Sequence, residues 1–235
     1  LKFLMRKPIV FNSYDLFPDG GYAMGLMNRS TFRLLQKFQK TLYKSCSVIV
    51  AISDDMMNSL IQQGVPTEKL TKIHLWYDVA LVRAVQEKEN SFLLEYPQKK
   101  DKFYVQYAGN FGYTFDYNMV LDVAEKLCNN QNIIFQMIGD GAFSDEFKKK
   151  AHERSLTNIQ FIPWQPVEKI AEVNSACSIG FIPLSRGVIW NSYPSKSALL
   201  MAIGRPIVTV AEPNSIYYRS INENRVGECF DHDSV

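Results

Sequence analysis

The sequence predicts an α/β protein with two Rossmann-like lobes, and two observations lead to this prediction. Strand and helix signals alternate almost throughout the 235 residues, which is the pattern of parallel βα units. Residues 103–235 contain about five such units, whereas residues 1–82 contain about three strands. We therefore expect a doubly wound parallel sheet in the C-terminal lobe and an incomplete N-terminal lobe.

Residues 1–82 are predicted to form the C-terminal part of the first lobe. Apolar runs predict strands over 7–14, 47–52 and 72–76, and amphipathic periodicity predicts helices over 30–44 and 54–63. Ser53 is a natural N-cap for the second helix, and Gly64 and Pro66 mark the end of that helix.

Residues 83–102 are predicted to be an interlobe linker because they are mixed and charged, and residues 103–235 are predicted to form the second lobe. Its expected strands are 103–108, 133–138, 159–162, 178–183 and 206–210, and its expected helices are 116–128, 142–154, 167–175, 195–203 and 215–222. The chain begins at Leu1 directly before a strand signal and ends without an obvious final helix. We therefore expect a piece of a longer protein whose second lobe lacks its last helices.

Composition excludes several classes of function. The net charge of +2, from 26 basic and 24 acidic residues, gives no basic footprint for nucleic acid. The four cysteines form no CxxC pair and the three histidines lack partners at metal-ligand spacing, so we expect no metal site. No apolar run approaches the length of about 18 residues needed to cross a bilayer and no signal peptide is visible, which predicts a cytoplasmic protein.

The loops that follow the predicted strands are where a ligand is expected, because such sheets bind ligands beyond the C-terminal ends of their strands. Two of these loops are rich in glycine, which lets backbone N–H groups approach a phosphate or a sugar. Their candidate residues are Gly109, Asn110 and Gly112 in the first loop and Gly139, Asp140 and Gly141 in the second. The full G-x-G-x-x-G spacing and the acidic ribose ligand of an NAD site are absent, which disfavours a dehydrogenase.

The segment Pro194-Ser195-Lys196 gives the sharpest signal for an anion. Ser195 is a natural N-cap, and a helix N-terminus carries a partial positive charge. A lysine there is unfavourable for the bare helix, so a diphosphate bound at Lys196 would explain it. Arg205, just past the other end of the same predicted helix, lies on the opposite edge of the sheet and serves the turn or solubility.

Two further residues on the binding edge have two readings each. Arg186 could reach the same anion, although exposed loop arginines are common. Trp164 could flank a nucleobase or pack against its own loop between two prolines.

The first long helix carries a basic row, for which a plain solvated face is the simpler explanation. An anionic membrane surface or a lipid-diphosphate acceptor is the alternative. The row consists of Arg29, Arg33, Lys37, Lys40 and Lys44.

Taken together, these motifs resemble bacterial nucleotide-sugar glycosyltransferases of family 4, in the branch that builds capsular and O-antigen polysaccharides. The resemblance runs through nearly the whole chain, and its order and spacing are more specific than any single motif. The motifs are YDLFPD (14–19), VIVAIS (48–53), WYD (76–78), YAGNFG (107–112), IGDG (138–141), NIQFIPWQP (158–166), PSK (194–196) and MAIGRPIV (201–208).

The resemblance implies the GT-B fold, with a nucleotide-sugar donor held by the C-terminal lobe and a lipid-linked or saccharide acceptor held by the N-terminal lobe. It implies that Gly109, Asn110 and Gly112 lie near the donor diphosphate and that the 163–165 loop borders the base. Lys196 and the Ser195 backbone would stabilise the leaving diphosphate. No cofactor is expected, and the expected co-substrate is a UDP- or GDP-linked sugar. Under the alternative in which the basic row contacts a membrane, the cytoplasmic protein would lie peripherally on the inner face of the cytoplasmic membrane.

The chain departs from the resemblance at two glutamate positions. Many relatives have two glutamates eight positions apart, and here Asn191 and Leu199 occupy these positions. Asn191 remains a weak catalytic candidate, and Glu212 is proposed as a substitute ribose ligand. These departures leave the stereochemistry open, and they leave open whether this truncated chain is active.

Two alternatives to a glycosyltransferase are retained. A UDP-sugar 2-epimerase shares the two-lobed architecture but needs acid and base carboxylates and a histidine, and no such cluster appears. A non-catalytic nucleotide-binding subunit fits the absence of the two glutamates.

Overall fold

The computed structural model describes residues 7–234, which divide into two compact units. Unit 1 contains described residues up to 75 together with 186–194 and 214–217. Unit 2 contains residues 76–185 and 195–213 and the described residues from 218 onward.

Unit 1 is built on a three-stranded parallel sheet in the order β1-β2-β3. The strands are β1 (Val10–Ser13), β2 (Val48–Ala51) and β3 (Leu70–Lys72), and the helices are α1 (Asp19–Ala23), α2 (Arg29–Ser45) and α3 (Asp54–Gln62). Short 3-10 helices cover Thr67–Lys69 and Val188–Trp190. Ile49, Met56 and Leu60 are fully buried in its core.

Side chains at the helix ends explain where two helices of unit 1 begin. The Asn28 side chain accepts a hydrogen bond from the Thr31 N–H at 2.9 Å, and the Ser53 hydroxyl accepts one from Met56 at 3.1 Å. Both bonds satisfy N–H groups that have no partner within the helix. The prediction that Ser53 is an N-cap is confirmed.

Unit 2 is built on a six-stranded parallel sheet in the order β6-β5-β4-β7-β8-β9. The strands are β4 (Phe103–Asn110), β5 (Ile133–Asp140), β6 (Ile159–Ile162), β7 (Ile179–Ile182), β8 (Ile207–Val210) and β9 (Gly227–Phe230). The chain moves outward from β4 to β6, then returns to the other side of β4 for β7. The strand order therefore reverses between β4 and β7, as in a doubly wound sheet.

One helix precedes this sheet, and the others connect its strands, as expected for parallel neighbours. They are α4 (Ser91–Glu95), α5 (Tyr117–Lys126), α6 (Ser144–Glu153), α7 (Ile170–Ser175), α8 (Ser195–Ala202) and α9 (Ile216–Glu223). Three 3-10 turns cover Glu87–Glu89, Val167–Lys169 and His232–Ser234.

An aromatic cluster forms the centre of the unit 2 core. The Phe147 ring lies within 6 Å of the rings of Phe111, Phe115 and Phe161, with centroid distances of 5.7, 5.6 and 4.9 Å. Phe111 and Phe147 are fully buried. This cluster anchors α6 and the loop after β4 to the sheet, and thereby holds the strand ends that carry the predicted ligand loops.

The segment 83–102, predicted as a linker, packs as part of unit 2. Phe92 is fully buried in a cluster with Ile138 and Val173, and the Asn90 side chain donates to the Glu172 carbonyl at 2.8 Å. The sequence did not predict this packing, because a single buried aromatic among charged residues produces no hydrophobic periodicity. The predicted boundaries 1–82 and 103–235 thus differ from the packed units.

Three other elements differ from the sequence prediction. β3 ends at Lys72 rather than extending to residue 76, and α1 lies between the first predicted strand and the first predicted helix, where no helix was predicted. β9 was not expected, and it pairs in parallel with β8 at the edge of the sheet. Short edge elements of this kind form through tertiary pairing and carry little local signal.

Candidate functional site

A cavity of about 240 Å³ lies within unit 2, at the C-terminal ends of β4 and β5. This is the edge of the sheet where ligands are expected, beside the point where strand order reverses. Its lining residues are Ala108, Gly109, Ile138, Gly139, Trp164, Gln165, Pro166, Val167, Ile170, Val173, Asn174, Ser195, Lys196 and Leu199. Most of this lining is apolar, so a charged group inside the cavity is poorly solvated.

Lys196 is the one cation among the described residues that line this cavity. Its Nζ lies 4.8 Å from the centroid of the Tyr107 ring, which gives a cation–π contact. Burial lowers the pKa of the Lys196 ammonium to about 8. Among the described residues no carboxylate forms an ion pair with it, so the desolvated charge lacks an anionic partner.

Gly109 makes the position of Lys196 possible. A Cβ at Gly109 would lie 2.3 Å from Lys196 Cε and 2.6 Å from its Nζ. Gly139 on the neighbouring strand is equally constrained, because its Cβ would lie 1.9 Å from the Gly109 carbonyl oxygen. Their backbone φ values are +152° and +141°, a conformation that residues other than glycine rarely adopt. The first glycines of the two predicted loops therefore allow close packing at the strand ends.

The N-terminus of α8 opens at the same cavity. Both Ser195 and Lys196 are lining residues, and the first turn of α8 contains no acidic residue. Ser195 is the first residue of the helix rather than the residue before it, a difference within the usual uncertainty of helix ends. Unpaired N–H groups and the partial positive charge of the helix end add to the Lys196 charge. The arrangement suits an anion such as a phosphate or a diphosphate.

Trp164 and Gln165 border the other part of the cavity, after β6. Trp164 is 59% exposed, so its indole ring is available to stack on a planar group. The Gln165 amide donates to the Pro163 carbonyl at 3.0 Å, which holds the loop in place.

The other members of the two glycine-rich loops lie outside the described lining. The Asn110 carbonyl accepts from the Tyr107 hydroxyl at 2.8 Å, and the Asp140 carboxylate accepts from the Gly141 N–H at 2.8 Å. That bond, together with one from Ser144, lowers the pKa of the Asp140 carboxyl group. These contacts give Asn110, Asp140 and Gly141 a role in shaping the loops. Their assignment to the donor, with that of Gly112, stays a prediction.

Three predicted site residues are placed elsewhere. Arg186 and Asn191 belong to unit 1, where the Asn191 carbonyl accepts from the Leu16 N–H at 2.7 Å. Glu212 belongs to unit 2, but its carboxylate lies 3.8 Å from His232 Nε2 and it is not among the described lining residues. The ligand roles suggested for these three residues stay predictions.

Sequence reasoning missed the apolar wall of the cavity. Ile170, Val173 and Asn174 come from α7, and Leu199 comes from α8. Their apolar spacing is that of ordinary core positions, and nothing in the local sequence distinguishes a cavity wall from a filled core. The one sequence signal for this wall was Leu199, which stands where many relatives have a glutamate.

Arg205 lies at the opposite end of α8 and has a structural role. Its guanidinium donates a hydrogen bond to the Ser175 carbonyl, which ties the turn after α8 to the end of α7. This contact agrees with the prediction that Arg205 serves the turn rather than a ligand.

Solved structures share this fold. The structure of Alr3699/HepE from Anabaena, in complex with UDP and glucose, superposes with a TM-score of 0.70 at 15% identity, covering 89% of this chain and 54% of that chain. Sucrose-phosphate synthase from Thermosynechococcus elongatus gives a TM-score of 0.73 at 13% identity, covering 97% and 56%. The fold is that of the GT-B glycosyltransferases.

Residues 91–234 match the family described as Glycosyl transferases group 1, and the chain belongs to this family. It is 28% identical over 228 residues to a Pseudomonas aeruginosa protein named Probable glycosyltransferase WbjE, covering 94% of this chain and 56% of the relative. It is 26% identical over 210 residues to WcaI of Escherichia coli, named for colanic acid biosynthesis, covering 86% and 51%. The chain thus spans about half the length of the curated relatives it matches.

Within residues 7–234, no helix is both long and apolar enough to span a membrane. The same described residues contain no group of three or more His, Cys, Asp or Glu side chains arranged to hold a metal ion.

Substitutions of Lys196 and of Arg205 should have different effects, one on nucleotide affinity and the other on the free energy of unfolding. Lys196→Ala should weaken the binding of a nucleoside diphosphate by about 10- to 100-fold, because it removes a charged hydrogen-bond donor. Arg205→Ala should leave that affinity within about twofold, since it lies away from the cavity. It should instead lower the free energy of unfolding by about 1–3 kcal/mol by leaving the Ser175 carbonyl unpaired. Calorimetric titration and urea unfolding measure the two effects, and equal losses of affinity would contradict the assignment.

Nucleotide affinity should also depend on pH. The Lys196 ammonium has a pKa of about 8, so it is charged below pH 8 and loses its proton as the pH rises through that value. A bound anion requires the charged form, so the dissociation constant should rise by up to about tenfold per pH unit above pH 8. Lys196→Arg stays charged throughout and should give a flat profile above pH 7. Titrations of both proteins between pH 7 and about pH 9.5 make the test, and identical profiles would refute it.

Proposed function

We propose that this chain contains the donor site of a glycosyltransferase that moves a sugar from a nucleotide-sugar to a lipid-linked or saccharide acceptor in cell-surface polysaccharide biosynthesis. The observation that carries this proposal is the uncompensated ammonium of Lys196 in an apolar cavity, at the N-terminus of α8. Family membership and the named relatives support the reaction class and the biosynthetic setting.

The chemistry of the site fits a departing nucleoside diphosphate. Negative charge grows on the diphosphate as the bond to the sugar breaks, and Lys196 with the first N–H groups of α8 lies ready to stabilise it. Because these groups are already oriented and poorly solvated, they interact more strongly than they would in water. We propose that this fixed cation does the work without a metal ion and without a cofactor.

The rest of the cavity fits a nucleoside. The exposed face of Trp164 offers a stacking surface and the Gln165 loop offers polar groups for a base. The neighbouring structures of Alr3699/HepE hold UDP or UDP-glucose, which supports a uridine nucleotide as the first donor to test, with a guanosine nucleotide second.

The alternative reactions receive less support from the described residues. A 2-epimerase needs carboxylates and a histidine at the nucleotide, and neither type is among the described lining residues. A non-catalytic nucleotide-binding subunit would use the same cavity, and turnover by the protein distinguishes it from an enzyme.

We propose that α2 contacts an anionic membrane surface, where a lipid-linked acceptor would lie. The basic row Arg29, Arg33, Lys37, Lys40 and Lys44 runs along this helix. Leu34, Phe38 and Leu42 form a second row at steps of four and are 57%, 67% and 41% exposed. The two rows lie on different faces of the helix, one basic and one apolar, which is the pattern of a helix lying in the bilayer interface. On this proposal the protein lies at the inner face of the cytoplasmic membrane.

A donor panel tests the proposed reaction. UDP- and GDP-sugars should raise the melting temperature of the protein, dTDP-sugars are included in the panel, and CMP-sugars, which carry a single phosphate, serve as the comparison. The stabilising donor should release its nucleoside diphosphate when a lipid-linked acceptor is supplied, and Lys196→Ala should strongly reduce both effects. Stabilisation without turnover across many acceptors would favour the binding subunit, and no stabilisation by any nucleotide would contradict the donor site.

Vesicle sedimentation tests the membrane surface. The chain should bind vesicles rich in phosphatidylglycerol and not vesicles of phosphatidylcholine, and binding should fall with added salt. Lys37→Glu with Lys40→Glu should weaken binding by about 10-fold or more, since each basic residue contributes about 1 kcal/mol at such a surface. Lys148→Glu with Lys149→Glu, on α6 of unit 2, changes the net charge equally and should have a smaller effect. Equal losses from the two pairs would show a general charge effect and no specific surface.

A further inference from the structure

Leu199 lies on α8, one turn further along the helix than Lys196. It follows Lys196 by three residues and Ser195 by four, so the three side chains share one side of the helix. All three are lining residues of the same cavity. Leu199 therefore lies one helical turn, about 5.4 Å, deeper along the helix than the groups assigned to the diphosphate.

A bound nucleotide would bring its ribose next to this side chain. In the proposed function the diphosphate lies at Ser195 and Lys196, and the base lies toward Trp164 and Gln165. The ribose joins these two parts covalently through a single methylene on the phosphate side. It therefore occupies the part of the cavity between them, next to Leu199 and the α7 wall of Ile170 and Val173.

This part of the cavity contains no anionic acceptor for a ribose diol. Proteins commonly bind the 2′-hydroxyl with an aspartate or glutamate, and the described lining contains neither. The neutral amides nearby use their NH2 groups within the protein, since Gln165 donates to the Pro163 carbonyl and Asn174 Nδ2 donates to the Ile170 carbonyl at 2.7 Å, and their oxygens are uncharged acceptors. An apolar side chain faces the sugar instead.

We propose that this cavity accepts 2′-deoxyribonucleoside diphosphates as readily as ribonucleoside diphosphates, and that Leu199 is the residue responsible. The inference rests on the proposed donor site and extends its substrate class to 2′-deoxynucleotide sugars. A site that hydrogen-bonds a hydroxyl rejects an analogue without it by about 10⁴-fold or more. A site in which leucine faces the 2′-hydroxyl gains no hydrogen bond from that hydroxyl and must remove the water bound to it.

The test compares UDP with dUDP, which share the base and the diphosphate and differ only at the 2′ position. Calorimetric titration of the wild-type chain should give dissociation constants within about threefold of each other, because no hydrogen bond to a charged acceptor is lost with the hydroxyl. A preference for UDP of about tenfold or more would overturn the inference, since it would require a partner for the 2′-hydroxyl.

Two variants test the role of Leu199. Leu199→Glu should create a preference for UDP over dUDP of about tenfold or more, because a carboxylate can accept from the diol. Leu199→Met keeps an apolar side chain of similar volume and should leave the ratio near that of the wild type. The same ratio in all three proteins would overturn the assignment of Leu199. Because each value is a ratio within one protein, a general loss of affinity from altered packing does not affect it.

The outcomes separate this inference from the function on which it rests. Binding of UDP with strong rejection of dUDP would overturn the inference and leave the donor site standing. If neither nucleotide binds the wild-type chain, and Lys196→Ala gives the same absence of binding at the same concentrations, the donor site is overturned and this inference with it.

Discussion

The functional cavity of unit 2 depends on the packing of the Lys196 side chain over Gly109. The missing Cβ at Gly109 leaves room for the lysine stem, and the Tyr107 ring lies against its ammonium. An isolated ammonium in apolar surroundings is costly unless it is paired or hydrogen-bonded. Its lowered pKa reflects this cost, and the diphosphate of the proposed function would supply the missing anionic partner.

The sheet topology explains why this packing occurs at the binding edge. The reversal of strand order between β4 and β7 leaves a crevice at the C-terminal ends of the strands. Gly109 and Gly139 are the next-to-last residues of adjacent strands and pair in direct register, and each needs a backbone conformation favoured by glycine. The aromatic cluster around Phe147 holds the loop after β4 against α6. A rigid core therefore positions the groups that meet the ligand.

Much of this arrangement could be predicted from the chain because its signals are local. Alternating strands and helices identified the α/β class, and side-chain preferences located the Ser53 cap. The residues at Lys196 and Arg205 were distinguished by their positions at opposite ends of one helix, and the Arg205 bond to the Ser175 carbonyl agrees with that distinction. The burial of Phe92 could not be predicted, because its partners Ile138 and Val173 are distant in sequence.

The sequence by itself determined the class of fold, the edge of the sheet that carries the ligand loops, and the lysine at the start of α8. These features follow from periodicity, from glycine after strands and from the polarity of a helix, all of which are local properties. Only the tertiary structure decided which loop residues line the cavity. Gly109, Gly139 and Trp164 join Lys196 there, whereas the Asp140 carboxylate bonds to its own loop. The reason is that a side chain's direction at a strand end depends on packing with distant segments, and no local pattern specifies that packing.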